Sequence, residues 1–426
     1  TVTKDMKVVV AMIGACLGTI EIKRSKIRKV ESQGMLCSAS ELGLASVHSG
    51  ILSLPERFEI GANFLAVCGV GQRVLEVDIT PNRGDVMSVR GLARECAAIF
   101  SQPLDHVMPR ELDATVHDLV RLDPNVQDAI GGYTLIKLSL APENRAGLIH
   151  WQLQTVQAGI RSVHPIVDYL NAIMTHTGQP MHAFDADQIQ GTLVVRRAEE
   201  GESFMALDGS TIMCNADDVI VADSYGPLAL AGIIGAKRGS VSTKTHNVLI
   251  EAAHFDPTTI SKTSQRTGIK TQASMRFERG VDPALYTALL STIADDLVQF
   301  AQATVLGYQK IIVKTNKTQE LTLYHHTLNR ILGYTIGAES VRNYLEKIAQ
   351  IKHSDADQIT IEVPSHRYDL TQEIDLVEEV SRLHGYEHVP HISGLTIVPS
   401  SASSNQADQT IAAFTQFMAH HGYHQV

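Results

Sequence analysis

The chain has 426 residues, too many for one ordinary core, and this length predicts roughly three domains. The apolar fraction of 44% and the charged fraction of 19% are those of a soluble globular protein, and no apolar run approaches the ~18 residues of a membrane span. The formal net charge of −10 gives no support for nucleic-acid binding by overall charge, so any such binding would have to be local.

Cysteine usage excludes two further classes of protein. The five cysteines are dispersed, odd in number and never in a CxxC pair: Cys16, Cys37, Cys68, Cys96 and Cys214. A disulfide framework and a thiolate zinc site are both disfavoured, and a reducing cytoplasm is the simplest interpretation. The N-terminus, TVTKDMKVVV, has neither an initiator Met nor a secretory pattern, so we expect either a fragment or a chain whose first residues are missing here.

The first predicted elements form a small β domain. MKVVVAMIG (6–14) is a short apolar strand, and IEIKRSKIRKV (20–30) alternates partially and carries five cations. Lysine and arginine on a strand edge also prevent aggregation, so a solvated edge and an RNA contact stand about even. Residues 74–103 then predict a strand, the PNRGD turn and a helix for which Asp85 is a plausible cap.

The middle of the chain, residues 132–310, mixes strands and helices without a detectable repeat. The segments 193–198, 219–224 and 248–253 are predicted strands, and 284–302 is a long amphipathic helix. The patterns that follow predict helices at 321–332 and 338–351, a strand at 359–364, an acidic helix after 370, a Ser-rich linker within 392–409 and a final helix.

Three apolar or glycine-rich stretches carry candidate functional residues. GQPMHAFD (178–185) sets His182 after a turn, where it can be an acid, a base or a capping histidine. In LALAGIIGAKRGSV (228–241), Gly232 and Gly235 permit close approach of a ligand, although the P-loop spacing fails and a tight structural loop is favoured. Glu251 lies inside an apolar run, where a bare carboxylate is costly, so it must be paired or face a polar cavity.

The acidic helix gathers five carboxylates in RYDLTQEIDLVEEVSRLHGY (367–386). They are Asp369, Glu373, Asp375, Glu378 and Glu379. Spacing alone favours a solvated face with Arg382 as ion-pair partner, and acids are also favoured near a helix N-terminus. A hard-cation site is the second interpretation, because Mg²⁺ needs only one or two direct carboxylates and keeps several waters.

Several long strings occurring in order carry a resemblance to a known family. They are SQGMLCSASELGL, DITPNRGDVMSVRGLARE, GQPMHAFD, LIEAAHFDPTTI, ASMRFERGVDP and PSHRYDLTQEIDLVEEVSRLHGYEHVP. The chain resembles, over nearly its whole length, the β subunit of bacterial phenylalanyl-tRNA synthetase. The strings are long and specific, unlike any single short motif above.

The resemblance implies an α+β, multi-domain fold. The expected layout is a partial OB-type tRNA-binding domain (1–65), the PNRGD segment (66–104), a mixed α/β editing domain (105–310), a winged-helix-like α+β domain (313–391), and a linker with the start of a synthetase-like domain (392–426). The family's remaining C-terminal domains are expected to be absent from this chain.

The resemblance also implies an activity. In the family the α subunit charges tRNA(Phe) with phenylalanine using ATP, and the β subunit hydrolyses mischarged tyrosyl-tRNA(Phe) in an α2β2 heterotetramer of the cytoplasm. The residues that match the editing site are His182, Glu251 and Thr271 as catalytic candidates, and Asn171, Gly232, Gly235 and Ala273 as pocket residues. Glu251 is expected to read the tyrosine hydroxyl. Asp369, Asp375, Glu378 and Glu379 match the family's Mg²⁺ site near the α subunit.

Three residues depart from the family pattern. Ala231 and Ala236 stand where glycine is common, and Gln272 stands where an acid is common. The two alanines near Gly235 and the net charge of −10 keep a second hypothesis open: a non-catalytic scaffold with a decayed editing pocket that binds tRNA and docks the α subunit.

Overall fold

The computed structural model describes residues 2–43, 50–55, 58–69, 74–104, 118–140, 148–314, 318–390 and 406–425. The chain forms two compact units, Thr1–His384 and Gly385–Val426. Helices and sheets both occur, which confirms the α+β, multi-domain prediction. Every helix within the described ranges is too short or too polar to cross a lipid bilayer.

The N-terminal segment is a small β structure with a minimal core. Its strands are Val10–Met12 (β1), Cys16–Leu17 (β2), Ile20–Glu21 (β3), Ser25–Ile27 (β4), Val30–Ser32 (β5) and Gly34–Leu36 (β6). The antiparallel pairs are β1 with β6, β2 with β3 and β4 with β5. Among the described residues of this segment, the buried members of its apolar cluster are Val9, Ala11, Ile22 and Cys37.

The basic stretch at 20–30 is exposed on this β structure. Lys23 pairs with Glu21 at 3.0 Å, and Arg24 pairs with Glu31 at 2.9 Å. Two of the five cations are therefore neutralised locally, which favours the interpretation as a solvated strand edge.

Residues 58–104 contain two helices, Phe64–Val67 (α1) and Val89–Phe100 (α2). The predicted strand at 74–80 is wrong, because no described segment supplies the ladder hydrogen bonds that a strand needs. The capping prediction for Asp85 is also wrong. The hydroxyl of Ser88 caps α2 by accepting from the Gly91 N–H at 3.0 Å, whereas the Asp85 carboxylate binds Arg83.

Two sheets organise the central region. The four-stranded antiparallel sheet has the order β17-β8-β16-β9, with bounds Ile130–Ser139 (β8), Met181–Asp185 (β9), Asn247–Phe255 (β16) and Thr304–Ile312 (β17). The five-stranded sheet has the order β15-β14-β13-β10-β7, with bounds Val120–Leu122 (β7), Leu193–Arg197 (β10), Val219–Asp223 (β13), Gly226–Leu230 (β14) and Ile234–Gly235 (β15). Ser203–Met205 (β11) and Thr211–Met213 (β12) form a separate hairpin. The three strands predicted in this region are confirmed.

The four-stranded sheet is covered on both faces, as its nearly continuous apolar strands require. The helices of the region are Ile149–Gln157 (α3), Pro165–Thr177 (α4), Pro257–Thr267 (α5), Gln272–Phe277 (α6) and Leu285–Ala301 (α7). One face, carrying Ile136 and Ile250, packs against α4 and α7. The other face, carrying Leu135 and Ala253, shares an apolar cluster with the five-stranded sheet and with residues of α5 and α6. The long amphipathic helix predicted at 284–302 is confirmed as α7.

The last region of the first unit has a three-stranded sheet, order β18-β20-β19, packed by helices. Its elements are Glu320–Tyr324 (β18), His325–Leu332 (α8), Ala338–Glu346 (α9), Gln350–Ser354 (β19), Gln358–Glu362 (β20) and Glu373–His384 (α10). The helix predicted at 321–332 is half wrong: its first residues form β18, because Leu321 pairs with Ile361 across the sheet. The predicted acidic helix is confirmed as α10.

The second unit contains a short 3-10 helix at Tyr386–His388 and the helix Gln406–His420 (α11). Ile411, Phe414 and Phe417 lie on one side of α11 and are exposed.

Candidate active site

Glu251 and His182 face one another across two paired strands. In the antiparallel pairing of β16 with β9, Glu251 is directly opposite His182, and in the pairing of β16 with β8 it is opposite Leu135. Directly opposite residues have Cβ atoms about 4.5–5.5 Å apart and point to the same face of the sheet. That face is the one covered by the apolar cluster of the five-stranded sheet. The register therefore brings together two of the three predicted catalytic residues.

The Glu251 carboxyl is held in surroundings that disfavour its charge. The residue is 6% exposed and has no ion-pair partner among the described residues. Burial raises the pKa of Glu251 to about 7, and the nearby hydroxyl of Tyr133 works in the opposite direction. The carboxyl therefore changes protonation state near neutral pH. The carboxyl has no ion-pair partner among the described residues, so the part of the sequence prediction that sets Glu251 against a polar cavity stays a prediction.

His182 is a neutral imidazole at pH 7. Burial lowers the pKa of His182 to about 4. Its ring meets Phe184 edge-on, with the ring centroids 4.5 Å apart. It forms no hydrogen bond within the described part of the chain, and the residue is only partly buried. Its ring nitrogens are therefore available to a water molecule or a substrate.

The structure favours glycine at the two predicted pocket positions, Gly232 and Gly235, for different reasons. A Cβ on Gly235 would lie 2.6 Å from the Cε1 atom of His182, so only glycine permits this histidine position. Gly232 has a φ of +68°, and a Cβ there would come within 3.1 Å of the buried rings of Phe255 and Phe277. Gly235 thus makes room for a functional side chain, whereas Gly232 makes the tight loop that spacing alone favoured.

Thr271 joins the loop before β15 to helix α6. It is the N-cap of α6, accepting from the Ser274 N–H at 3.1 Å, and its hydroxyl donates to the Ile233 carbonyl at 2.9 Å. The hydroxyl proton is committed to that carbonyl, so Thr271 holds the two halves of the site together in this arrangement. Ala273 follows in the first turn of α6 and packs against the same apolar cluster.

Asn171 is the one predicted pocket residue that this arrangement does not bring to the Glu251 face. It lies in α4, whose Ile166, Tyr169 and Leu170 pack on the opposite face of the four-stranded sheet. Its role at the pocket edge stays a prediction.

The residues that depart from the family pattern have local consequences. Ala231 and Ala236 are each 2% exposed and belong to the apolar cluster. Gln272 accepts from the Nη1 group of Arg276 through both its backbone carbonyl, at 2.9 Å, and its side-chain oxygen, at 2.7 Å. Arg276 has no carboxylate partner in the described chain, and burial lowers its pKa to about 10. An acid at position 272 would neutralise this guanidinium.

The acidic helix is tied to the PNRGD turn by a buried ion network that spacing did not reveal. Arg367 donates to Glu379 at 2.8 Å and to Asp369 at 2.7 Å, and Arg382 donates to Glu379 at 2.6 Å and to Glu95. Burial alone would raise the pKa of Glu379, but the hydrogen bonds from Arg382 and Arg367 lower it to about 2. Arg382 is thus the ion-pair partner expected from spacing, although the pair is buried rather than solvated.

Arg83 extends this network from the turn. It binds Asp85 at 3.0 Å and Glu95 at 2.7 Å, and Glu95 also contacts Arg382. Arg83 and Arg367 lie outside the helices and strands and carry no periodic signal. The sequence could therefore reveal them only through their place in the family strings.

Asp375 and Glu378, the other two acids of the predicted metal site, line an open cavity of about 710 Å³ together with Asp369. The Asp375 carboxylate already accepts from the backbone N–H groups of Thr371 and Gln372, at 2.8 and 2.7 Å. Within the described residues, no group of three or more His, Cys, Asp or Glu side chains is arranged to hold a metal ion. Glu379 does not fit a metal site as it stands, because two arginines hold it. Asp375 and Glu378 supply cavity-lining oxygen atoms of the kind that a hard cation prefers, and magnesium binding stays a prediction.

Comparison with known families defines the class of protein. Residues 145–302 match the B3/4 domain, and residues 321–386 match the tRNA synthetase B5 domain. The first match contains His182, Glu251 and Thr271, and the second contains the acidic helix. The chain is therefore of the aminoacyl-tRNA synthetase class.

Curated relatives identify the family within that class. The phenylalanine–tRNA ligase beta subunit of Pectobacterium atrosepticum is 35% identical over 431 residues, covering 99% of this chain and 53% of the relative. The chain is also similar to the beta subunit of Yersinia pestis, with 35% identity, 91% of this chain covered and 49% of the relative. With the beta subunit of Coxiella burnetii the identity is 31%, and the match covers 100% of this chain and 54% of the relative. The chain belongs to the phenylalanine–tRNA ligase β-subunit family, as the strings predict, and spans about half the length of the curated relatives it matches.

A solved structure is also similar in part. It is an N-terminal fragment of the phenylalanyl-tRNA synthetase β subunit from Pyrococcus horikoshii, with 17% identity and a TM-score of 0.36, covering 72% of this chain and 85% of that one. A score at this level does not establish a common fold.

Proposed function

We propose that this chain hydrolyses mischarged tyrosyl-tRNA(Phe) at the Glu251 face of the four-stranded sheet. One observation carries the proposal: a carboxyl with a pKa of about 7 on an apolar face, directly opposite a neutral histidine. Such strongly perturbed groups cluster at functional sites. The family match supplies the substrate class, since the curated relatives are phenylalanine–tRNA ligase β subunits.

Glu251 supplies the chemical difference between tyrosine and phenylalanine. The two side chains differ by one hydroxyl, which a hydrophobic pocket rejects only weakly. A site that hydrogen-bonds the hydroxyl instead disfavours the analogue without it by about 10⁴–10⁵-fold. Among the described residues Glu251 has no ion-pair partner to compete with a phenol, and its apolar surroundings strengthen the new hydrogen bond.

Hydrolysis requires a water molecule to attack the ester carbonyl. The resulting tetrahedral oxyanion collapses, the bond to the ribose oxygen breaks, and that oxygen takes up the proton that the attacking water releases. His182, neutral at pH 7, can accept a hydrogen bond from the attacking water. Its pKa of about 4 makes it a weak base, so orienting the water suits it better than retaining the proton. Thr271 can donate to the oxyanion only by releasing the Ile233 carbonyl.

The proposal includes the assembly that the family name implies. The α subunit would charge tRNA(Phe) using ATP, in a cytoplasmic α2β2 heterotetramer. Mg²⁺ would bind where α meets this chain, with Asp375 and Glu378 as the available carboxylates on this side. Their chemistry suits a hard cation, which prefers oxygen ligands and keeps waters.

The test is a deacylation assay on the reconstituted α/β enzyme and on this chain alone. Tyrosyl-tRNA(Phe) and phenylalanyl-tRNA(Phe) are supplied separately, and release of the amino acid is followed. We expect selective loss of the tyrosyl ester, and a loss of that selectivity in Glu251→Ala. Glu199→Gln, an exposed acid of the same region, is the control and should behave as wild type. Unchanged selectivity in Glu251→Ala would remove Glu251 from its role.

A scaffold with a decayed pocket is the second candidate. It is favoured by the committed hydroxyl of Thr271 and by Gln272, which leaves the buried Arg276 without an anionic partner. A scaffold would bind tRNA(Phe) with a salt dependence typical of phosphate contacts and would leave tyrosyl-tRNA(Phe) intact. Binding without deacylation in the reconstituted enzyme would select this candidate.

A further inference from the structure

Tyr133 lies beside Glu251 on the candidate active face, although no sequence signal singles it out. Strand β8 places Leu135 opposite Glu251 and Tyr133 opposite Ala253. Tyr133 is therefore the diagonal cross-strand neighbour of Glu251 on the same face, a separation that a long aromatic side chain can bridge. Both residues belong to the layer between the two sheets.

The hydroxyl of Tyr133 is buried without a hydrogen-bond partner. The side chain is 0% exposed, and its oxygen has no partner in hydrogen-bonding geometry among the described residues. Buried hydroxyls are normally paired, so this oxygen needs an explanation. The Glu251 carboxyl is its diagonal neighbour across the paired strands. Burial is the main cause that raises the pKa of Tyr133, and the Glu251 carboxylate raises it further. Burial also raises the pKa of Glu251, whereas the Tyr133 hydroxyl lowers it.

A second buried tyrosine shows what a purely structural arrangement looks like in this chain. Tyr169 is also 0% exposed, and its hydroxyl donates to Asp296 at 2.8 Å in the cluster on the other face of the sheet. That pair is complete within the fold. The Tyr133 hydroxyl is not satisfied in this way, since it keeps hydrogen-bonding capacity that the described chain leaves unused.

We propose that Tyr133 is a positioning residue, whose hydroxyl holds one oxygen of the Glu251 carboxylate and leaves the other free for the phenol of a tyrosyl substrate. The proposal rests on the proposed editing function. It deepens that function by naming the group that orients the hydroxyl reader. In the proposed arrangement the hydroxyl, which has no partner among the described residues here, donates to the carboxylate once Glu251 is ionised and thereby favours its accepting form.

The groups that face Glu251 are few, which makes the effect of Tyr133 measurable. Strand β9 presents His182, which is neutral, and strand β8 presents Tyr133. Burial raises the pKa of Glu251, and the Tyr133 hydroxyl lowers it. Tyr133→Phe removes one oxygen and retains the buried ring, so the apolar packing is kept.

The first measurement is the titration of the Glu251 carboxyl, which needs no substrate. The infrared band of the protonated carboxyl is followed from pH 5 to 9 as the difference from Glu251→Gln. Tyr133→Phe should raise the midpoint by about one unit, the shift expected when a hydrogen bond to a charged group is lost. Tyr169→Phe is the matched control and should leave the midpoint unchanged. An unchanged midpoint in Tyr133→Phe overturns the proposal.

The second measurement is the pH dependence of tyrosyl-tRNA(Phe) deacylation by the reconstituted α/β enzyme. The limb that follows ionisation of Glu251 should move upward by the same unit in Tyr133→Phe, and not in Tyr169→Phe. A lower rate with an unmoved limb overturns the positioning role, because a merely structural defect changes the rate alone. If the wild type does not hydrolyse the tyrosyl ester, the proposed function fails, and the infrared titration still decides the link between Tyr133 and Glu251.

Discussion

Glu251→Gln should change how the stability of the central region depends on pH. The glutamine keeps the size of the side chain and removes its titration. In the wild type, the pKa of Glu251 is about 7 in the folded chain against an ordinary value of 4.5. Between these values the unfolded carboxyl is ionised and the folded one is protonated, so the unfolded state binds fewer protons. The free energy of unfolding therefore falls as pH rises from 4.5 to 7.

The size of this effect follows from the shift. A rise from 4.5 to about 7 corresponds to on the order of 3 kcal/mol, at 1.36 kcal/mol per unit. No reduction for solvent screening is needed, because Glu251 is 6% exposed. His182 contributes with the opposite sign: its pKa is lowered from 6.5 to about 4, so its contribution to stability falls as pH drops through that window. The difference between wild type and Glu251→Gln cancels the histidine and isolates the carboxyl.

Trp151 makes the measurement specific to this region. It is the single tryptophan of the chain, and its ring packs edge-on against Tyr169 and Phe300, with centroids 5.1 and 4.8 Å apart. Urea unfolding followed by its fluorescence at several pH values between 4.5 and 8 gives the two stability curves. The Gln variant should become progressively more stable relative to wild type as pH rises to 7. Parallel curves over that range would refute the assigned burial of Glu251 in the apolar face.

Three further predictions follow from the geometry. Gly235→Ala should lower the rate of tyrosyl-tRNA(Phe) deacylation by about 10²-fold, because the added Cβ would displace His182. The control is Gly337→Ala, whose Cβ would meet nothing within 4 Å and should leave the rate unchanged. Equal rates in the two variants would contradict this prediction. Arg367→Met should lower the free energy of unfolding, measured by circular dichroism, by about 3–5 kcal/mol, because it leaves a buried carboxylate unpaired. Arg342→Met, which breaks an exposed ion pair, should lower it by less than ~1 kcal/mol. Similar losses in both variants would mean that the buried network is not formed. Asp375→Asn should weaken Mg²⁺ binding to the reconstituted α/β enzyme in a calorimetric titration, and Glu373→Gln should not; equal binding would assign these acids to a solvated face.

The sequence by itself determined the elements whose signal is local. The apolar runs of β10, β13 and β16 and the amphipathic period of α7 predict their own secondary structure, because burial of one or both faces imposes a period of 2 or 3.6 residues. The long ordered strings also determined the family. Errors fell where a pattern needs a distant partner: the segment 74–80 alternates but lacks a neighbouring strand, and Leu321 is drawn into a sheet by Ile361.

Only the tertiary structure decided what the functional side chains face. Strand register, which no local pattern encodes, sets Glu251 opposite His182 and brings Tyr133 alongside. Helical spacing grouped Glu379 with the other acids, but Arg367, from outside the helix, joins Arg382 of the same helix in holding its carboxylate, while Asp375 and Glu378 lie at the cavity. The charge on a side chain is written in the sequence, whereas its counter-charge and its exposure to water depend on which segments meet in space.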